Sequence, residues 1–215
     1  MTTCYRSLKF ILLPLVVLLL ESSCKDTCSK KVTCPGYNDL LLDAWFPYNN
    51  NQVLIFKSNT NLSDTFVLHL NDSTASYTYN STTASNGCNQ MKSLNSIKQD
   101  SAYRAAFRIS LSSQNENTSS SGKNAYINFY DKGFSGIGLG DNGFSSYSSN
   151  GEPANNIPQN LFNYSLNGRL YPFAQSFTGD AAFMQKPGVY KITFAKKYGI
   201  IAYETNPGNI TWLLQ

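Results

Sequence analysis

The sequence predicts an all-β chain: an antiparallel β-sandwich or open barrel, with at most one short helix near residues 38–46. Three observations lead there. Apolar and polar residues alternate with period two in several short runs, the pattern of a strand with one face buried. Turn-forming dipeptides recur between those runs, at Asn86-Gly87, Asn142-Gly143, Asn150-Gly151, Asn167-Gly168, Pro187-Gly188 and Pro207-Gly208. Aromatic residues, which favour strands, make up 13% of the chain, with 14 Tyr.

The elements follow in order. Asn38 to Trp45 (NDLLLDAW) reads as one or two helical turns, with Asn38 as the cap and Pro47 as the stop. Val53 to Phe56 is a short apolar run. Thr65 to Leu70 puts Phe66, Leu68 and Leu70 on one face, and Ser76 to Tyr79 is a further strand. Tyr103 to Leu111 alternates most clearly, with Tyr103, Ala105, Phe107, Ile109 and Leu111 opposite Arg104, Ala106, Arg108 and Ser110. Ala125–Tyr130, Val189–Ala195, Gly199–Glu204 and Thr211–Leu214 complete the set. Ser112–Lys123 and Asp141–Asn160 read as solvated surface loops.

Composition excludes several classes. Only 14% of residues are charged, against 41% hydrophobic, and 24 Asn, 26 Ser and 15 Thr fill the difference. A disordered chain lacks aromatics and carries high net charge. A coiled coil needs more Ala, Glu, Lys and Leu. A net charge of +4 with no basic run longer than Lys30-Lys31 or Lys196-Lys197 argues against a nucleic-acid partner.

The first 23 residues read as an export signal. Arg6 and Lys9 precede an apolar run from Phe10 to Leu20, too short for a spanning helix. The following Leu20-Glu21-Ser22-Ser23-Cys24 resembles a bacterial lipobox through Ser22, Ser23 and Cys24, and departs from it at Glu21. That resemblance implies cleavage before Cys24 and acylation of its sulfur and new amino group. Two or more acyl chains anchor stably where one does not. Lys25-Asp26 is similar in part to a surface-export signal of Bacteroidota lipoproteins. Residues 24–34 then form a tether, and 35–215 a single β domain. Of the remaining cysteines, Cys34 and Cys88 are the favoured disulfide pair. Cys28–Cys34 is the rival pair.

Catalytic motifs are weak. Gly138-Leu139-Gly140-Asp141-Asn142-Gly143 matches G-x-G-x-x-G, but no helix follows to receive a pyrophosphate. The better reading is a strand or bend with one bare side, against which an aromatic packs, closed by an Asp141-Asn142-Gly143 turn. The only histidine, His69, has solvent-side parity in its strand, which leaves no Ser-His or Cys-His arrangement and no zinc set. No metal or cofactor is expected. The acidic residues sit mostly in turn contexts, and no pair stands out for glycoside hydrolysis. Trp45, Tyr48, Tyr77, Tyr79, Tyr126 and Tyr130 are the aromatics proposed for a ligand face. Ser73 and Ser101, in Asp72-Ser73-Thr74 and Asp100-Ser101-Ala102, resemble O-glycosylation sites of exported Bacteroidota proteins.

Two further stretches carry a family likeness. Trp45-Phe46-Pro47-Tyr48 with Gln52–Phe56, and Gly188–Tyr203 with Thr211–Leu214, resemble the opening and the terminal strands of small all-β outer-membrane and surface lipoproteins of the Bacteroidota. The resemblance implies a lipid-anchored envelope domain and supplies no activity. The expectation is therefore a non-catalytic envelope protein with a structural or ligand-binding role, anchored in the outer membrane through its lipid. A glycan-binding accessory lipoprotein and a carboxylate hydrolase are the alternatives. A glycan or another envelope protein is the expected partner.

Overall fold

The computed structural model describes residues 37–78, 86–98, 105–115, 122–129, 132–149, 156–180, 185 and 187–215. Among them the chain forms one short helix, α1 (Leu40–Trp45), and twelve strands. The strands are β1 (Val53–Ser58), β2 (Ser63–Thr78), β3 (Asn86–Lys98), β4 (Ala105–Asn115), β5 (Lys123–Phe129) and β6 (Lys132–Ile137). They continue with β7 (Ser146–Ser149), β8 (Gln159–Leu166), β9 (Arg169–Thr178), β10 (Gly188–Ala195), β11 (Gly199–Asn206) and β12 (Ile210–Leu214). All belong to a single antiparallel sheet in the order β7-β6-β5-β4-β3-β2-β1-β12-β11-β10-β9-β8. The sheet curls into a half-barrel, the open-barrel member of the expected pair.

The order has a consequence for closure. The first and last strands lie side by side in mid-sheet, while β7 and β8, consecutive in the chain, form its two edges. No ladder joins those edges. Side chains span the gap instead. The Gln175 amide accepts from the Phe144 N–H at 2.8 Å and donates to the Phe144 carbonyl at 3.1 Å and to Asn160 Oδ1 at 2.9 Å. Tyr147 donates to the Thr178 carbonyl at 2.8 Å and stacks on Phe177 at 4.4 Å. Gly143 (φ 85°) is required here, because a Cβ would fall on the Gln175 amide.

The concave side is packed with aromatic rings. Phe56, Phe66, Phe107, Phe129 and Tyr203, from five strands, touch in a closed circuit with centroids 5.0–5.9 Å apart. The Tyr203 hydroxyl donates to buried Asp64 at 2.8 Å. At one end α1 plugs the half-barrel: Trp45 meets Phe173 and Phe194 edge-on at 5.5 and 5.6 Å, and Phe46 packs on Phe144 and Phe194. Such pairs each add about 0.5–1.5 kcal/mol beyond area burial.

Several expectations hold. Phe107, Ile109 and Leu111 are buried while Arg108 is exposed. Asn167-Gly168 makes a two-residue hairpin turn with both φ positive. Gly140 and Gly143 bond to each other across Asp141-Asn142, and Gly136 is bare because Phe144 lies against it. Others need correction. Asp39, not Asn38, caps α1: its backbone is extended and its carboxylate accepts from the N–H groups of Leu41 and Leu42. Asn86-Gly87 is not a turn but the start of β3, paired with Thr78 and Tyr77. Ser76–Thr78 belong to β2. Within Asp141–Asn160, the 144–149 part is no surface loop, since Phe144, Tyr147, Ser148 and Ser149 are buried; residues 150–155 lie outside the described residues.

Removing the plug should be costly. Trp45→Ala is expected to lower unfolding free energy by about 3–5 kcal/mol in urea titration. Leu40→Ala, on the same helix but 81% exposed, should change it by less than about 0.5 kcal/mol.

Candidate functional site

Two groups of polar side chains rise from the sheet, one inside the half-barrel and one outside. The inner group surrounds α1. Lys123 of β5 reaches both Asp39 carboxylate oxygens at 2.9 Å, and Lys92 of β3 reaches Asp43 at 2.8 Å. Gln90 Oε1 accepts the Asn38 N–H at 3.2 Å, and Lys92 Nζ lies 5.4 Å from the centre of the Tyr37 ring. Gln90 and Lys92 are buried because alternate residues of β3 face the concave side, under the helix.

This arrangement tunes its charges. Burial raises the Asp39 carboxyl, but hydrogen bonds from Lys123, Ser113 and the Leu42 N–H outweigh it and hold the group below its ordinary value. Burial, then the charges of Asp43, Asp39 and Asp72, push the Tyr37 hydroxyl well above the usual tyrosine range. The same logic recurs on β10 and β11. Glu204 accepts from Tyr190 at 2.6 Å and Lys191 at 2.8 Å, which keeps its carboxyl low despite burial. The bond to Glu204, then burial, raises Tyr190 to about 12. Asp39, Asp43, Asp64 and Glu204 are thus each held by a partner within the fold. Their chemistry here is that of helix docking and strand clamping.

The outer group lies on the convex side of β2–β6. The register aligns His69, Asn95, Arg108 and Asn128 in one row across four strands, and Asn71, Ser93, Ser110, Tyr126 and Ser135 in the next. Tyr126 is 43% exposed. Its ring lies across Gly133 of β6, where a Cβ would fall on the Tyr126 hydroxyl, and that hydroxyl accepts from Asn128 Nδ2 at 3.3 Å. The ring thus rests on the sheet at Gly133 and remains exposed to solvent. Arg108 is exposed diagonally across from Tyr126, and no described residue of this face is acidic.

The six aromatics singled out from the sequence separate accordingly. Trp45 and Tyr48 are not ligand-facing but core residues, 0% and 4% exposed. The first meets Phe173 and Phe194, and the hydroxyl of the second accepts the Ile200 N–H at 2.6 Å. Tyr126 faces solvent. Tyr77 lies on β2, described by its backbone, and Tyr79 and Tyr130 lie outside the described residues. Cys24, Cys34 and Ser101 also lie outside them. Cys88 is on β3 opposite Ser76 and Asn115, and Ser73 on β2 opposite Met91. The sequence reading missed Arg108, Asn95 and Asn128 as a group, because only strand register brings them into one row.

Among the described residues no three His, Cys, Asp or Glu side chains converge as a metal site requires, and no helix is long and apolar enough to cross a membrane. Comparison with known protein families, curated proteins and solved structures finds no match.

The Asp39–Lys123 and Glu204–Lys191 ion pairs make stability depend on pH. Asp39 and Glu204 have folded values below their unfolded ones, so their contribution is complete above about pH 5 and is lost as pH falls through the folded values. Asp39→Asn keeps a capping oxygen but loses the charge. It should be less stable at pH 7 by roughly 1–3 kcal/mol, and its urea midpoint should fall less than that of the parent between pH 5 and pH 2.

Proposed function

We propose that this chain is a lipid-anchored protein of the cell envelope, held in the outer membrane through Cys24, whose β half-barrel works without catalysis as a structural or ligand-binding module. The observation that carries this reading is the export signal ending in Ser22-Ser23-Cys24, directly after the apolar run Phe10–Leu20. The short basic tether after Cys24 suits a module held close to a membrane.

The fold supports the non-catalytic part. The concave side, where a barrel ordinarily keeps a ligand, is filled by rings and by α1. Among the described carboxylates, Asp39, Asp43, Asp64 and Glu204 are bonded to lysine or tyrosine partners. A second reading, a surface glycan-binding accessory lipoprotein, is favoured by one specific feature: the solvent-facing Tyr126 ring within rows of amide and hydroxyl side chains. Nucleic acid is not a partner in either reading.

The anchor is tested by growing the producing cells with labelled palmitate. The parent chain should take up label and sediment with membranes. Cys24→Ser should lose both; unchanged labelling and sedimentation would remove the lipoprotein reading.

A further inference from the structure

We infer that the convex face of β2–β6 binds an acidic glycan, a polysaccharide bearing uronate carboxylates; this rests on the glycan-binding reading and names its ligand class. The face supplies the three contacts such a chain needs. An aromatic ring carries negative charge on its faces, which attracts the electropositive C–H groups on one side of a pyranose ring. Tyr126 presents one such face, already oriented by Gly133 beneath it and by the bond from Asn128. Because its oxygen accepts from Asn128, its proton is left to donate outward.

Sugar hydroxyls both donate and accept, and a side-chain amide does the same. Asn95 and Asn128 flank Arg108 in one row, and Ser110 lies opposite Tyr126 in the next. Strands are about 4.8 Å apart, so the four-strand row from His69 to Asn128 spans roughly 14 Å, enough for more than one sugar unit. The charge balance selects the ligand. Arg108 is exposed, and none of the described residues of this face is acidic. Its planar guanidinium matches a carboxylate with two parallel hydrogen bonds. The Tyr126 ring rests over Gly133, which lies two strand spacings, about 10 Å, from Arg108 along the row Arg108–Asn128–Gly133, a gap that a pyranose on the ring and the extended Arg108 side chain span together. A neutral glycan leaves that cation unmatched.

Affinity electrophoresis of the full chain in detergent tests this, with polygalacturonate as the acidic probe and hydroxyethyl cellulose as the neutral one. The expected result is retardation by polygalacturonate alone, weakened by added salt. Arg108→Gln and Tyr126→Ala should each raise the dissociation constant about tenfold, with urea midpoints near that of the parent to show that both fold. Equal retardation by both polymers would keep a glycan binder and overturn the acidic assignment. Retardation by neither would overturn the inference together with the glycan reading. Unchanged polygalacturonate binding in both variants would overturn the assignment to this face. The Cys24 anchor is untouched by any of these results.

Discussion

A curled sheet whose two edges do not hydrogen-bond to each other must fill its own interior. Water cannot be left against its inner face, because most of the strands present large apolar side chains there. The chain meets this constraint with a six-residue helix. A helix so short does not hold itself together in water. It holds because Trp45 and Phe46 enter the aromatic interior and because Asp39 and Asp43 are tied to lysines on β5 and β3. Asp39 serves twice, as the cap of the helix and as its ion pair to the sheet. At the seam, Gln175 does with one amide what a ladder does in a closed barrel, satisfying the Phe144 backbone where no strand arrives.

Filling the interior has consequences for function. Side chains that would line a cavity pack against one another, and Asp39, Asp43 and Asp64 are bonded to Lys123, Lys92 and Tyr203. What is left for recognition is the outside. There the low charge of the sequence takes on meaning: the two rows His69–Asn128 and Asn71–Ser135 on the convex face of β2–β6 consist of Asn and Ser with one histidine, one tyrosine and one arginine. Uncharged amides and hydroxyls keep such a face soluble, and they are also groups that match sugar hydroxyls.

The sequence shows strands whose inner residues are apolar. Tyr103–Leu111 reads plainly because Phe107, Ile109 and Leu111 face the core and Arg108 does not. β3 is hidden because its inner residues include Gln90, Lys92 and Ser96, which face α1 or bond to the neighbouring backbone. β8 is hidden for a different reason: it is an edge strand, mostly exposed, with Asn163 at positive φ breaking its alternation. Trp45 and Tyr48 look like surface aromatics in a turn-rich stretch, and only the curl of the sheet shows that they point inward. The candidate face illustrates the same limit. Tyr126 is visible from its strand, but its company with Arg108 and Asn95 depends on the register between the consecutive strands β3, β4 and β5, which alternation along any one of them does not fix.

If α1 and the Gln175 seam complete the interior, they must unfold with the sheet and not before it. Native-state hydrogen exchange measures this amide by amide. The Phe46 N–H of the helix and the Phe144 N–H on Gln175 should exchange with the same opening free energy as Ile192 and Tyr203 in the middle of the sheet. If those two exchange through a low-energy opening while β10 and β11 stay protected, the helix is an ornament on a self-sufficient sheet and does not complete its interior.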